Sequence, residues 1–263
     1  MPSPIKPFPY GSSSALATEF AWRGDALSPE NQSALNVGAP MWYSNGYWCD
    51  TLDVPDSTAE ARDRLQKWWG VGDAVELRQT IGRLLDGMHS SGFEIAQALA
   101  AKAIDKADGH DPDTHREFLR TRAVVLGKHT EYLVRSYDAI YQLRTMKILS
   151  SAITSEFPTH IRAWDLARIP FLARAGKAAG FVDESECWPM LHAGLASARG
   201  YYANWRQFAH GYVVGRAYWA ALDDVSTATD YGKTARNWVN SLLVRSDSPW
   251  RRLPLRAVGE DPH

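Results

Sequence analysis

Cysteine is nearly absent from the chain. Only Cys49 and Cys187 occur in 263 residues, far apart and outside any Cys-x-x-Cys spacing. That scarcity argues against a metal site built on cysteine, and reduced thiols in a cytoplasmic protein are the expectation. A charge excess is also lacking. The formal net charge is −1, so no electrostatic argument points to a nucleic acid or a membrane surface as partner. No apolar run approaches the roughly 20 residues that span a bilayer, and the N-terminus lacks the continuous apolar segment of a signal peptide. Motifs that carry chemistry are missing as well: no P-loop, no GxGxxG after a strand, no GxSxG and no HExxH. No cofactor and no metal is implied.

What is present is hydrophobic bulk. With 45% hydrophobic and 22% charged residues the composition is globular, and 11 Trp with 11 Tyr supply volume for an aromatic-rich core. Each indole or phenol buried there needs a hydrogen-bond partner.

Along the chain, residues 1–55 read as an N-terminal arm. MPSPIKPFPYGSSS has no helical or strand period, so a flexible start is expected. Ser28-Pro29 then opens one short helix. In PMWYSNGYWCD, the Asn45-Gly46 pair between aromatic residues predicts a β-hairpin over about 41–50, with Tyr43 facing Trp48 and Trp42 facing Cys49. Its aromatic pairs suit either a platform for a ring ligand or a cover for the helical core, and the cover is the simpler reading.

Residues 56–245 carry the helical signals. Ser57 with Glu60 is a capping box for a helix to Trp68 or Trp69, stopped near Gly70. Asp73 with Glu76 starts the next. An Ala-rich helix runs from Phe93 to Ala107, and Asp111-Pro112 opens a long pattern reaching about Ile153, with a break possible at Gly127. The stretch from His110 to His115 contains metal-ligand types, but an N-cap followed by proline explains the same residues more simply. The last helix is expected from about Thr227 to Val244. Residues 246–263 read as a tail in which Trp250 docks on the body. The fold expected is one mainly α, multi-helix, orthogonal or bundle-like domain with a small N-terminal hairpin and an extended arm.

The stretch 160–222 is the most informative, because it places charges inside apolar stripes. At 100° per residue, Ile161, Trp164, Arg168, Leu172 and Ala175 share a face, with Asp165 at its edge. Asp165 and Arg168 are i, i+3 neighbours. Trp188, Leu191, Leu195 and Ala198 share another face, with Glu184 at its N-terminal end. Trp205, Phe208, Tyr212 and Trp219 form an aromatic stripe that also holds Arg216 beside Gly215. Uncompensated charges out of water cost several kcal/mol, so Asp165, Arg168, Glu184 and Arg216 are expected to meet as a buried network among Trp164, Trp205 and Trp219. Pro170 predicts a kink just after Arg168. Gly180 suits a left-handed helix end. With Asp183 and Glu186 as a capping box, Pro189 falls inside the middle helix; with Ser185 as N-cap it sits near the start.

Trp69-Gly70-Val71, Ala163-Trp164-Asp165-Leu166-Ala167-Arg168, Gly180-Phe181 with Glu184, Trp205 with Phe208, and Gly215-Arg216 with Trp219 together resemble the bacterial domain-of-unknown-function 1266 (DUF1266) family, over about residues 68–222. The resemblance implies a bacterial, predominantly helical protein with no established activity, and it transfers no catalytic residue.

Three functional readings follow. The first is a binding or interaction module, in a stress, chaperone-linked or interbacterial-competition system, with a protein partner or a small anionic ligand. The second is a hydrolase-type enzyme using Asp165 and Glu184 with Arg168 and Arg216 on an anionic or sugar substrate. Carboxylates flanked by arginines have lowered pKa values, which suits electrostatic partners better than general acids. The third is a structural network that fixes helix register.

Overall fold

The computed structural model describes residues 19–105, 109–127, 129–145 and 157–256. The start of the expected arm, the last turns of the helix expected to reach Ile153 and the end of the tail lie outside the described residues. The protein is mainly α, and no strand occurs among the described residues. In chain order the helices are α1 (Pro29–Asn36), α2 (Ala39–Ser44), α3 (Thr58–Trp69), α4 (Ala74–Leu85), α5 (Ser90–Asp105), α6 (Pro112–Val125) and α7 (Thr130–Thr145). There follow α8 (Arg162–Leu166), α9 (Arg168–Ala178), α10 (Glu184–Tyr201), α11 (Trp205–Ala221), α12 (Val225–Val244) and the short α13 (Pro249–Arg252). No described helix is long and apolar enough to cross a membrane.

Local chemistry sets the helix ends. Ser57 and Glu60 form the reciprocal capping box of α3, and Asp73 and Asp111 accept the third N–H of α4 and α6. Asp111 and Pro112 therefore serve helix initiation. His115 is buried, its Nδ1 lying 3.2 Å from the Tyr137 hydroxyl. Asp183 and Glu186 make the capping box of α10, so Pro189 lies inside that helix. The chain turns at Ala167 between α8 and α9, which places Pro170 in the first turn of α9, where a missing N–H costs nothing. Gly180 closes α9 at φ +74°.

The expected hairpin is not formed. Residues 39–44 are helix α2, with Gly38 as its N-cap and Pro40 in its first turn. Asn45-Gly46 ends that helix instead of joining two strands: Gly46, at φ +68°, donates to the Tyr43 carbonyl and Tyr47 to the Trp42 carbonyl. The same left-handed glycine satisfies a hairpin turn or a helix stop. Burial decides between them, because Trp42 is wholly buried with its indole N–H on the Leu35 carbonyl at 3.1 Å.

The helices sort into two compact units, neither of them a contiguous stretch of chain. The first holds the described parts of 1–88, 165–208 and 237–263. Its axis is α9, buried along Arg168–Gly176 and packed by α2, α3, α4 and α10. The second unit holds 89–164 and 209–236. There the Ala-rich face of α5 lies along α7, over a core of Phe93, Leu119, Tyr137, Ile140, Val214 and Tyr218. Its phenols are satisfied: the Tyr218 hydroxyl donates to Ser136 Oγ at 2.8 Å, and Ser136 donates to the Tyr132 carbonyl.

Candidate functional site

Asp165 is wholly buried in the first unit, and Arg168, also buried, brings Nη1 to 3.7 Å from its carboxylate. The Arg168 guanidinium also lies 5.7 Å from the Trp69 ring centre. Trp164, Arg216 and Trp219 belong to the second unit. There the buried Arg216 guanidinium is surrounded by rings, with Tyr231 at 4.0 Å, Trp219 at 5.2 Å and Trp164 at 5.4 Å. Gly215 makes that approach possible, since a Cβ there would come within 2.4 Å of Trp164 Cβ. A delocalised guanidinium stacks on such faces where an ammonium would keep its water.

Glu184 does not join a buried network. It is the exposed first residue of α10, and its Oε1 accepts the Trp188 indole N–H at 3.2 Å. Asp183 takes the capping position, so the next side chain on the helix points outward and reaches only its i+4 neighbour. Trp205, in the first unit, stacks on Trp250 at 4.9 Å with the planes 4° apart, while Trp250 donates its indole N–H to the Asn36 carbonyl at 2.8 Å.

An opening lined by titratable groups lies elsewhere in the first unit, along the loop that follows α2. It is a cleft of about 420 Å³ walled by Arg23, Trp48, Asp53, Asp56 and Lys177. Arg174 of α9 holds that loop from inside. Its Nη2 donates to the Asp53 carbonyl at 2.8 Å and the Trp48 carbonyl at 3.0 Å, while Nε and Nη1 have no hydrogen-bond acceptor. Burial pushes the Arg174 pKa down to about 10, so the group stays cationic at neutral pH. Tyr47 is buried beside it, stacked on Phe171, and its hydroxyl donates to Asp56 and receives a hydrogen bond from Arg64. Burial, then the bond to Asp56, raises the Tyr47 pKa.

At the mouth, one carboxylate serves two cations. Asp53 Oδ1 accepts from Lys177 Nζ at 2.7 Å and Oδ2 from Arg23. Lys177, then Arg23, holds the Asp53 carboxyl below its usual range. The Arg23 guanidinium also lies 5.3 Å from the Trp48 ring centre. Asp50 fixes the facing segment by accepting the backbone N–H groups of Arg23 and Gly24 at 2.8 and 2.7 Å. Sequence reasoning missed this site because its partners are far apart in the chain. One signal was available: IPFLARAGKA is apolar nearly all round, so Arg174 within it had no solvent face to occupy.

The model of the DUF1266 family, described as a protein of unknown function, matches residues 64–255. Similar curated proteins include the uncharacterized protein YbeR of Escherichia coli K12, 26% identical over 161 residues that cover 61% of this chain and 58% of YbeR. The uncharacterized protein YbeU of the same organism is 28% identical over 115 residues, covering 39% of this chain and 48% of YbeU. The matched stretch thus spans about half of each relative's length. No solved structure matches the chain.

Proposed function

Because the chain belongs to the DUF1266 family, whose description names no activity, we propose from the geometry that it is a binding protein, and that the cleft beside Trp48 takes a small zwitterionic ligand such as an amino acid or a peptide end. The observation that carries the reading is the shared carboxylate. Arg23, Asp53 and Lys177 keep 46%, 44% and 25% of their side chains exposed while bonded to one another. Such half-wet pairs are worth little by themselves and exchange partners easily. A ligand ammonium replaces one cation on Asp53, a ligand carboxylate bridges the freed guanidinium or ammonium, and Trp48 covers the apolar part. The cleft volume falls in the range of small-ligand sites.

The hydrolytic reading has less support. Asp165 is sealed and Glu184 stands on the surface, so the two carboxylates share no opening. Of the two carboxylates that line the cleft, Asp56 is taken by Tyr47 and Arg64, and Asp53 is held below its usual range, the opposite of what a general acid requires. Calorimetric titration with phenylalanine and glycyl-phenylalanine tests the proposal against their N-acetyl and amide forms. Binding is expected to need both free ends and to weaken at least about ten-fold in Asp53→Asn and Lys177→Met. Absence of binding by any zwitterion, or Asp53-dependent turnover of a chromogenic glycoside or phosphoester, overturns it.

A further inference from the structure

A second cleft in the first unit, of about 350 Å³, opens where α11 begins and α13 turns, with Trp205, Trp250, Pro254 and Leu255 in its lining. Its charges are all of one sign. Among the described residues Arg206, Arg251 and Arg256 line it, and no carboxylate does. Arg256 is committed to backbone, donating to the carbonyls of Tyr202 and Arg199. Arg206 and Arg251 are exposed, and their side chains make no hydrogen bond or ion pair with any described residue.

Several other arginines are spent on carboxylates, among them Arg64 on Asp56, Arg78 on Glu186 and Arg162 on Glu94. The neighbours of the cleft are spent too. Arg199 holds Glu30 through two nitrogens at 2.8 and 3.1 Å, and the Arg252 guanidinium sits 3.9 Å from the Trp22 ring centre. Like charges gathered without a counter-ion raise the local potential, which an anion lowers.

The apolar wall is equally finished. The stacked Trp205 and Trp250 send their indole N–H groups to the carbonyls of Leu253 and Asn36 at 2.8 Å, so toward the cleft they offer hydrocarbon. The start of α11 adds little, because Asn204 already accepts the Gln207 N–H at 3.0 Å. The arginines and the apolar wall carry the argument.

We propose that this cleft binds a small organic phosphate with an apolar body. Two uncommitted guanidinium forks match a phosphate dianion, which accepts paired N–H bonds along more than one edge, while the body lies against Trp250, Leu243 and Pro254. The site is separate from the cleft beside Trp48 and does not depend on the zwitterion reading.

Calorimetric titration of the full chain with phenyl phosphate tests it, with inorganic phosphate and phenol as the two halves of the probe. Phenyl phosphate is expected to bind at least about ten-fold more tightly than either half, more weakly as salt rises, and at least about ten-fold more weakly to R206E/R251E. Both substituted side chains are exposed, so that variant keeps the wild-type circular dichroism and its titration with phenylalanine is unchanged. Equal affinity of wild type and R206E/R251E, equal affinity for phenol and phenyl phosphate, or no binding at all overturns the proposal. Co-sedimentation with vesicles containing phosphatidic acid, lost in R206E/R251E, assigns the arginines to a lipid surface and overturns the soluble ligand.

Discussion

Replacing Arg174 separates the two ways a buried cation acts on a fold. Its guanidinium is wholly buried, with Nη2 on the Asp53 and Trp48 carbonyls and two nitrogens without acceptors. Arg174→Ala deletes two charge-assisted hydrogen bonds, about 1.5–3 kcal/mol each, and leaves a cavity costing about 2–4 kcal/mol more. The opposing effect is release of a buried charge. Burial moves the pKa from 12.5 to about 10, which at about 1.4 kcal/mol per unit is about 3 kcal/mol. Alanine is therefore expected to destabilise the protein by about 2–7 kcal/mol. Methionine fills most of the same volume, so Arg174→Met is expected to cost only about 0–3 kcal/mol. Urea denaturation followed by circular dichroism reads both values by linear extrapolation. The reasoning is refuted if Arg174→Ala stays within about 0.5 kcal/mol of wild type, as a surface change would. It is equally refuted if methionine proves worse than alanine.

Two further outcomes follow from titratable groups. Asp183 caps α10, and its hydrogen bonds from Ser185 and from the Glu186 N–H keep its carboxyl below the usual range. A depressed folded pKa stabilises above the unfolded value of about 3.9 and stops doing so as pH falls through the folded one. Asp183→Ala should thus lower Tm at pH 7, with the gap closing below about pH 4; a gap that persists at pH 2 contradicts the cap. Burial pushes the thiols of Cys49 and Cys187 up to about 12, so both remain protonated at pH 8. Iodoacetamide should label neither until urea unfolds the chain, and mass spectrometry finding an adduct on native Cys49 removes that argument.

Local rules made much of the fold legible. The helix starts at Thr58, Ala74 and Pro112 follow from Ser57, Asp73 and Asp111, because a cap is a contact across three residues. The burial of Asp165, Arg168 and Arg216 is readable from helical period alone. Glu184 shows the limit of that method, since a stripe extended to the first turn meets solvent there. Asn45-Gly46 shows another: the turn chemistry was right, but a left-handed glycine serves two structures, and only the burial of Trp42 selects the helix. The cleft beside Trp48 could not be read at all, because Arg174 meets the Trp48 and Asp53 carbonyls across more than 100 residues of intervening chain. The chain order likewise hides the two units, whose pieces interleave.

That interleaving bears on the order of assembly during synthesis. The hydrogen bond from Trp250 to Asn36 joins positions 214 apart, so the opening helices leave the ribosome long before the residue that covers them exists. The second unit has all its pieces by residue 236. The first therefore waits on residues beyond 236 with apolar surface uncovered, and nascent chains halted short of Trp250 are the species that a chaperone would meet.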